Sequence, residues 1–129
     1  GDIVSLSSEI VHTKNGDRIR SLKKTSLAYD KKIVGVVSNN YEDFTSVGNN
    51  ILTNDNPMPV ALKGRVPVKI APDSTPITAG DYLTSSSTFP GYAQKATKQG
   101  TMIGKALDDW NSEKKAIMVF VNTAWAVPE

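Results

Sequence analysis

The chain has 129 residues, a formal net charge of +2, 39 % apolar residues and 22 % charged residues. That is the size of one ordinary domain with a globular balance, which argues against disorder and gives no charge-based case for a nucleic-acid or membrane partner. It has no cysteine, which excludes disulfides, zinc thiolate sites and thiol nucleophiles.

The N-terminal residues Gly1-Asp2 lead into a short strand at Ile3, Val4 and Leu6. The chain thus begins inside a strand approach, and the expectation is a piece of a longer polypeptide. No signal peptide and no apolar run of membrane-spanning length is visible. A second short strand is predicted over 11–13, followed by Asn15-Gly16, a strong two-residue hairpin signal. Arg18-Ile19-Arg20-Ser21-Leu22 alternates polar and apolar residues as a half-exposed strand does. Tyr29-Asp30-Lys31 turns the chain into Ile33-Val34-Gly35-Val36-Val37, an apolar, β-branched run that belongs deep in the core.

Residues 39–57 hold six asparagines with Gly48 and Pro57. They read as a long surface loop with a short strand at Ile51-Leu52. A loop of this length is either functional, forming an interface, or a tolerated insertion. Between 58 and 70, Val60, Leu62, Val66, Val68 and Ile70 alternate with Ala61, Lys63, Arg65, Pro67 and Lys69. Gly64 suggests a bulge or bend, and Pro67 belongs on an edge. This segment is expected to pair with both flanking portions of the chain.

Gly80–Asp109 reads as three short strands separated by turns at Pro90-Gly91 and Gln99-Gly100. The N-terminal stretch has the same grammar. Gly1-Asp2-Ile3-Val4 matches Gly80-Asp81-Tyr82-Leu83, Lys24-Thr25 answers Ala96-Thr97, and Ile33-Val34-Gly35-Val36 answers Met102-Ile103-Gly104-Lys105. Asn39-Asn40 falls where Asp108-Asp109 falls. We read a degenerate duplication with repeat-like halves at 1–40 and 80–109, joined by the loop 39–57 and the segment 58–70; the alternative is chance matching of short strands. One copy cannot bury both faces of so small a sheet, so the two should pack together. The expected fold is therefore all-β, one domain over 1–129, either a small barrel or clip-like packed sheets with a pseudo-twofold repeat.

Between 106 and 115 a helix is allowed, but Asp108-Asp109 and Asn111-Ser112 favour a turn. The last strand is read at Ala116–Asn122. The lysine pairs at 23–24, 31–32 and 114–115 lie beside turns and suit a solvated rim that discourages edge pairing. Trp110 and Trp125 are expected as caps on the core or an interface.

Chemistry-bearing patterns are weak. His12 is the only histidine. Ser5, Ser7 and Ser8 lie near it in sequence, but nothing resembles a nucleophile elbow. Asp108-Asp109-Trp110-Asn111-Ser112-Glu113 lacks the glycine and the distal glutamate of a calcium loop, so a solvated turn is the reading. Gly100-Thr101-Met102-Ile103-Gly104-Lys105 is one residue short of a phosphate loop, has Ala106 in place of Ser/Thr, and lies in a strand with no helix following. No catalytic, cofactor-binding or metal-ligating residue is assigned.

Several stretches carry a resemblance: GDIVSL, YDKKIVGVVSNN, VALKGRVPVKI, PITAGDYLTSSSTFPGYAQKATKQGTMIGKALDD and IMVFVNTAW. They resemble the β-rich module near the C-terminus of phage tail-fibre and appendage proteins, and of bacterial surface proteins built like them. That module commonly sits beside an intramolecular-chaperone domain of the endosialidase type. The stretches are distantly similar to the autocleaving chaperone domain of phage neck appendages. The resemblance covers nearly the whole chain except 39–57, and its motifs are structural. It implies a non-enzymatic fibre or appendage component, usually trimeric, at the cell surface, outside the cell or on a virion. Phe44, Phe89 and Trp125 are the aromatic residues left for a subunit neighbour. In autocleaving relatives the scissile bond lies at the N-terminal boundary of the domain, and no residue here matches that cleavage motif. The rivals are a self-cleaving enzyme using Asp2, Ser5 or His12 and a glycan-binding module using an exposed Trp or Tyr.

Overall fold

The computed structural model describes residues 1–12, 18–38 and 59–128. The described residues form nine strands and no helix: β1 (Ile3–His12), β2 (Arg18–Lys24), β3 (Ile33–Val37), β4 (Val60–Ala61), β5 (Lys63–Lys69), β6 (Tyr82–Ser85), β7 (Ala93–Lys95), β8 (Gly100–Ala106) and β9 (Ala116–Ala126). They make two antiparallel sheets, ordered β2-β1-β3-β4 and β5-β9-β8-β6-β7. The protein is all-β, with two packed open sheets. Of the two expected architectures the barrel is not formed among the described residues, although one parallel bridge between Ile70 and Ala93 brings the ends of the larger sheet together.

The strand order repeats. In the smaller sheet β1 pairs with β2 on one side and β3 on the other, and β3 pairs with β4. In the larger sheet β6 pairs with β7 and β8, and β8 pairs with β9. The register repeats as well. Val4 faces Gly35 and Lys24, as Leu83 faces Gly104 and Lys95. Val37 faces Val60, as Ala106 faces Val119. The Val37 N–H donates to Asp2 O at 2.8 Å, and the Ala106 N–H to Asp81 O at 2.9 Å. One expected match shifts by a residue. Lys24 corresponds to Lys95 and Thr25 to Ala96, because Thr25 N–H donates to Ile3 O and Ala96 N–H to Tyr82 O. The connection between β2 and β3 is longer than that between β7 and β8, and this obscures the pairing in sequence.

A single apolar interior joins the halves. Ile3, Ile33, Val36 and Ala61 from the smaller sheet meet Val66, Val68, Leu83, Ile103, Val119 and Val121 from the larger one. The β4–β5 strand links the sheets directly: it pairs with β3 up to Ala61, breaks at Leu62, and pairs with β9 from Lys63. The break overturns the uniform alternation expected for this segment. Val66, Val68 and Ile70 are buried, but upstream it is Ala61 that is buried while Leu62 is exposed. Changing sheets reverses which side faces the core, and Gly64 takes φ +118° at the crossing. Pro67 lies on an edge strand, where its missing N–H costs no ladder bond.

Two further expectations are corrected. The separate strands predicted at 3–6 and 11–13 are continuous in β1 as far as His12, with a register shift between Leu6 and Ile10, and Thr13 lies outside the described residues. The last strand runs on past Asn122 to Ala126. The loop 39–57, its strand at Ile51-Leu52, Asn39-Asn40, Phe44 and the Asn15-Gly16 turn lie outside the described residues.

Candidate functional site

Two regions of this body combine polar groups with defined geometry. The first is a seam where residues 25–32 of the first half dock on β6 of the second. Thr84, Ser85 and Ser86 are fully buried there. Thr84 Oγ1 accepts from the Tyr29 N–H at 3.2 Å and donates to Thr101 O at 2.8 Å. Ser85 Oγ donates to Leu27 O and accepts from the Asp30 N–H. Ser86 Oγ caps the following turn, accepting from the Thr88 and Phe89 amides at 3.1 Å each. Thr84 and Ser85 thus spend their hydroxyls on main chain, taking the place of water on the inner side of a loop whose outer side is exposed.

Tyr29 closes the seam from outside. Its φ is +55°, and its hydroxyl accepts from the Thr97 and Lys98 amides at 2.8 and 3.1 Å. Lys98 Nζ lies 5.2 Å from the ring centroid. Burial pushes the phenol pKa up, but the Thr97 and Lys98 hydrogen bonds and the Lys98 charge outweigh it. The pKa therefore lies below the ordinary tyrosine value.

The second region is a cleft of about 340 Å³, lined by Gly80, Asp81, Tyr82, Lys95, Ala96, Lys105, Val127 and Pro128. Asp81 and Lys95 form an ion pair at 3.4 Å, and Lys105 Nζ sits 4.9 Å from the Tyr82 ring centroid. The repeat gives this cleft a counterpart in the first half, built from Gly1, Asp2, Ile3, Lys24 and Thr25. There the space is filled by Gly91. The Ile3 N–H donates to Gly91 O and the Gly91 N–H to Thr25 O, both at 2.8 Å.

The residues singled out in the sequence do not converge. His12 ends β1 opposite Arg18. Ser5 is fully buried. Asp108 Oδ2 accepts from the Met118 amide at 3.2 Å and Asp109 Oδ1 from the Ala79 amide at 2.8 Å, so both carboxylates cap main chain. Among the described residues no group of three His, Cys, Asp or Glu could hold a metal ion. Residues 100–105 lie within β8. The lysine pairs at 23–24, 31–32 and 114–115 are all exposed.

The tryptophans part company. Trp110 is 3 % exposed, exchanges main-chain bonds with Ile77 and donates Nε1–H to Lys114 O at 2.7 Å. Trp125 is 64 % exposed. The cap expected of Trp125 is therefore not made within this chain. Phe89 stacks obliquely on Tyr92, with centroids 5.9 Å apart.

One more surface stands out. Only residues 3–5 of β1 pair with β3 and the Leu6 N–H donates to Lys32 O, so beyond Leu6 the strand pairs with β2 alone among the described residues. Leu6 faces Leu22 across this ribbon, and Ile10 faces Arg20 two residues along, on the same face. Leu6, Leu22 and Ile10 are each about 40 % exposed. No protein-family model, curated protein or solved structure matches the chain.

Proposed function

We propose that this chain is a non-enzymatic structural and assembly module of an extracellular or virion fibre or appendage, and that it works as a homo-oligomer. The observation that carries the reading is the β1–β2 ribbon. An isolated two-stranded ribbon is at best marginally stable in water, and this one displays Leu6, Ile10 and Leu22 on a single face. A neighbouring subunit covering that face would stabilise it. The seam hydroxyls of Thr84 and Ser85 fit the same reading, since they serve main chain and so fix one half of the body on the other. The fibre or appendage setting rests on the motif resemblance. Light scattering over a range of concentrations tests the proposal: association is expected, and a monomer at high concentration refutes it.

A glycan-binding role has one observation in its favour, the exposure of Trp125 opposite Thr101 on β8. Tryptophan fluorescence titrated with oligosaccharides tests it, because Trp110 is buried and a ligand-induced change would report Trp125. No change at millimolar sugar removes this reading. Self-cleavage predicts that an upstream-extended chain cuts itself, and an intact extended chain removes that one.

A further inference from the structure

We propose that the cleft beside Tyr82 and Ala96 is a receptor for a glycine-bearing peptide turn, and that its occupant is the β1–β2 connection of a second copy of this chain. The proposal deepens the assembly reading and rests on it.

The repeat shows what the cleft is shaped to hold. In the first half, Thr25 N–H donates to Ile3 O, and Gly91 is inserted between the Ile3 N–H and the Thr25 carbonyl. Gly91 has φ +83°, and a Cβ on it would stand 3.0 Å from Asp2 Oδ1. Only glycine suits that conformation and that space. Asp2 is paired there with Lys69 at 3.1 Å and Lys24 at 3.9 Å.

The second half repeats the frame, and among the described residues nothing takes the place of Gly91. Ala96 N–H donates to Tyr82 O at 2.9 Å, and Asp81 pairs with Lys95. The N–H and C=O of a strand residue point to the same edge, so the Tyr82 N–H faces this cleft as the Ile3 N–H faces Gly91. No main-chain bond from the Tyr82 N–H to Ala96 O, or to any other described residue beyond the strand ladder, fills the role that Gly91 fills. A donor and an acceptor are thus set at the spacing that grips one residue of a turn.

The occupant follows from chain order. The turn that fills the first groove is the β6–β7 connection. Its counterpart is the β1–β2 connection, which contains Asn15-Gly16 where the other contains Pro90-Gly91. β6 and β7 have four and three residues, so their turn folds back onto the body. β1 and β2 have ten and seven. At a rise of about 3.3 Å per residue, the part of β1 beyond Ser5 spans roughly 20 Å. No residue of β1 or β2 lines the cleft. A second copy can present the same connection head to tail, a heterologous contact that leaves each copy both donor and acceptor.

The chain has no cysteine, so paired single substitutions report the contact cleanly. Gly91 lies against Asp2, whose counterpart in the cleft is Asp81, and Asn15 adjoins Gly16, the position that must stay glycine. Chains carrying Asn15→Cys are mixed with chains carrying Asp81→Cys and oxidised, with Glu113→Cys as the exposed control partner. We expect the mixed disulfide with Asp81→Cys to form at least about tenfold faster than with Glu113→Cys. In addition, Gly16→Val should weaken self-association by about tenfold or more, while Lys14→Val changes it by less than about twofold. Equal cross-linking rates in a chain that still associates overturn this contact and leave the assembly reading standing. A chain that stays monomeric in the same light-scattering series overturns both.

Discussion

The main-chain carbonyl of Phe120 occupies the space that a Cβ on Gly104 would need. The same contact recurs in the other half, where the carbonyl of Ala61 lies against Gly35. In each sheet the central glycine lets two strands approach more closely than any side chain permits, and a backbone carbonyl cannot swing aside as a side chain can. Gly104→Ala should therefore cost about 3 kcal/mol or more, and Gly35→Ala a similar amount, measured by urea denaturation. A loss below about 1 kcal/mol at both positions would show that the strands are not so closely set.

Ser85 offers a second test. Its buried hydroxyl serves Leu27 O and the Asp30 N–H at once, so Ser85→Ala orphans a donor and an acceptor inside the seam. The expected loss is about 1–3 kcal/mol. Thermal melts of the variant would read it, and an unchanged midpoint would mean that water reaches the loop.

The repeat also sets up a contrast. Ser5 occupies in the first half the place of Thr84 in the second, yet Ser5 Oγ is buried and has no hydrogen-bond partner among the described residues. Thr84 Oγ1 has two. Ser5→Ala should be neutral or stabilising, whereas Thr84→Val should cost about 1–2 kcal/mol. Equal effects of the two substitutions would contradict the contrast.

Tyr29 makes a pH prediction. Its folded pKa is depressed, so the folded state releases the phenolic proton before the unfolded state does. This phenol therefore adds stability that is fully present above the unfolded tyrosine pKa and is lost as pH falls through the folded value. In an ultraviolet titration of the folded protein, Tyr29→Phe should remove one tyrosine that ionises below the ordinary tyrosine value. If the titration curve keeps its low-pH side unchanged in the variant, the hydrogen bonds from Thr97 and Lys98 are not holding the oxygen as described.

Most of the fold was legible because it rests on local signals. The β-branched run at 33–37, the turns at Pro90-Gly91 and Gln99-Gly100, and the glycine repeat all fall where strands and their ends fall. What escaped depended on partners distant in sequence. The phase change at Leu62 arises because one strand changes sheets, which no alternation pattern within 58–70 announces. The seam was invisible because Thr84-Ser85-Ser86 reads as polar surface, and only docking of residues 25–32 makes it interior. Trp110 and Trp125 look alike in sequence, but Trp110 is enclosed by Ile77 and Lys114 while Trp125 lies on the outlying end of β9. The cleft at Tyr82 and Ala96 was within reach of the sequence. Matching Thr25 to Ala96, one residue from the expected register, exposes an occupied groove and its open twin.

The central claim is that the β1–β2 ribbon displays its apolar face for another subunit. Sedimentation equilibrium of the unaltered chain beside Leu6→Ser/Leu22→Ser tests it most directly. The account predicts that the unaltered chain associates, and that the double variant keeps its β-sheet circular dichroism but sediments as a monomer. A monomeric unaltered chain, or a double variant that associates as strongly as its parent, would contradict it.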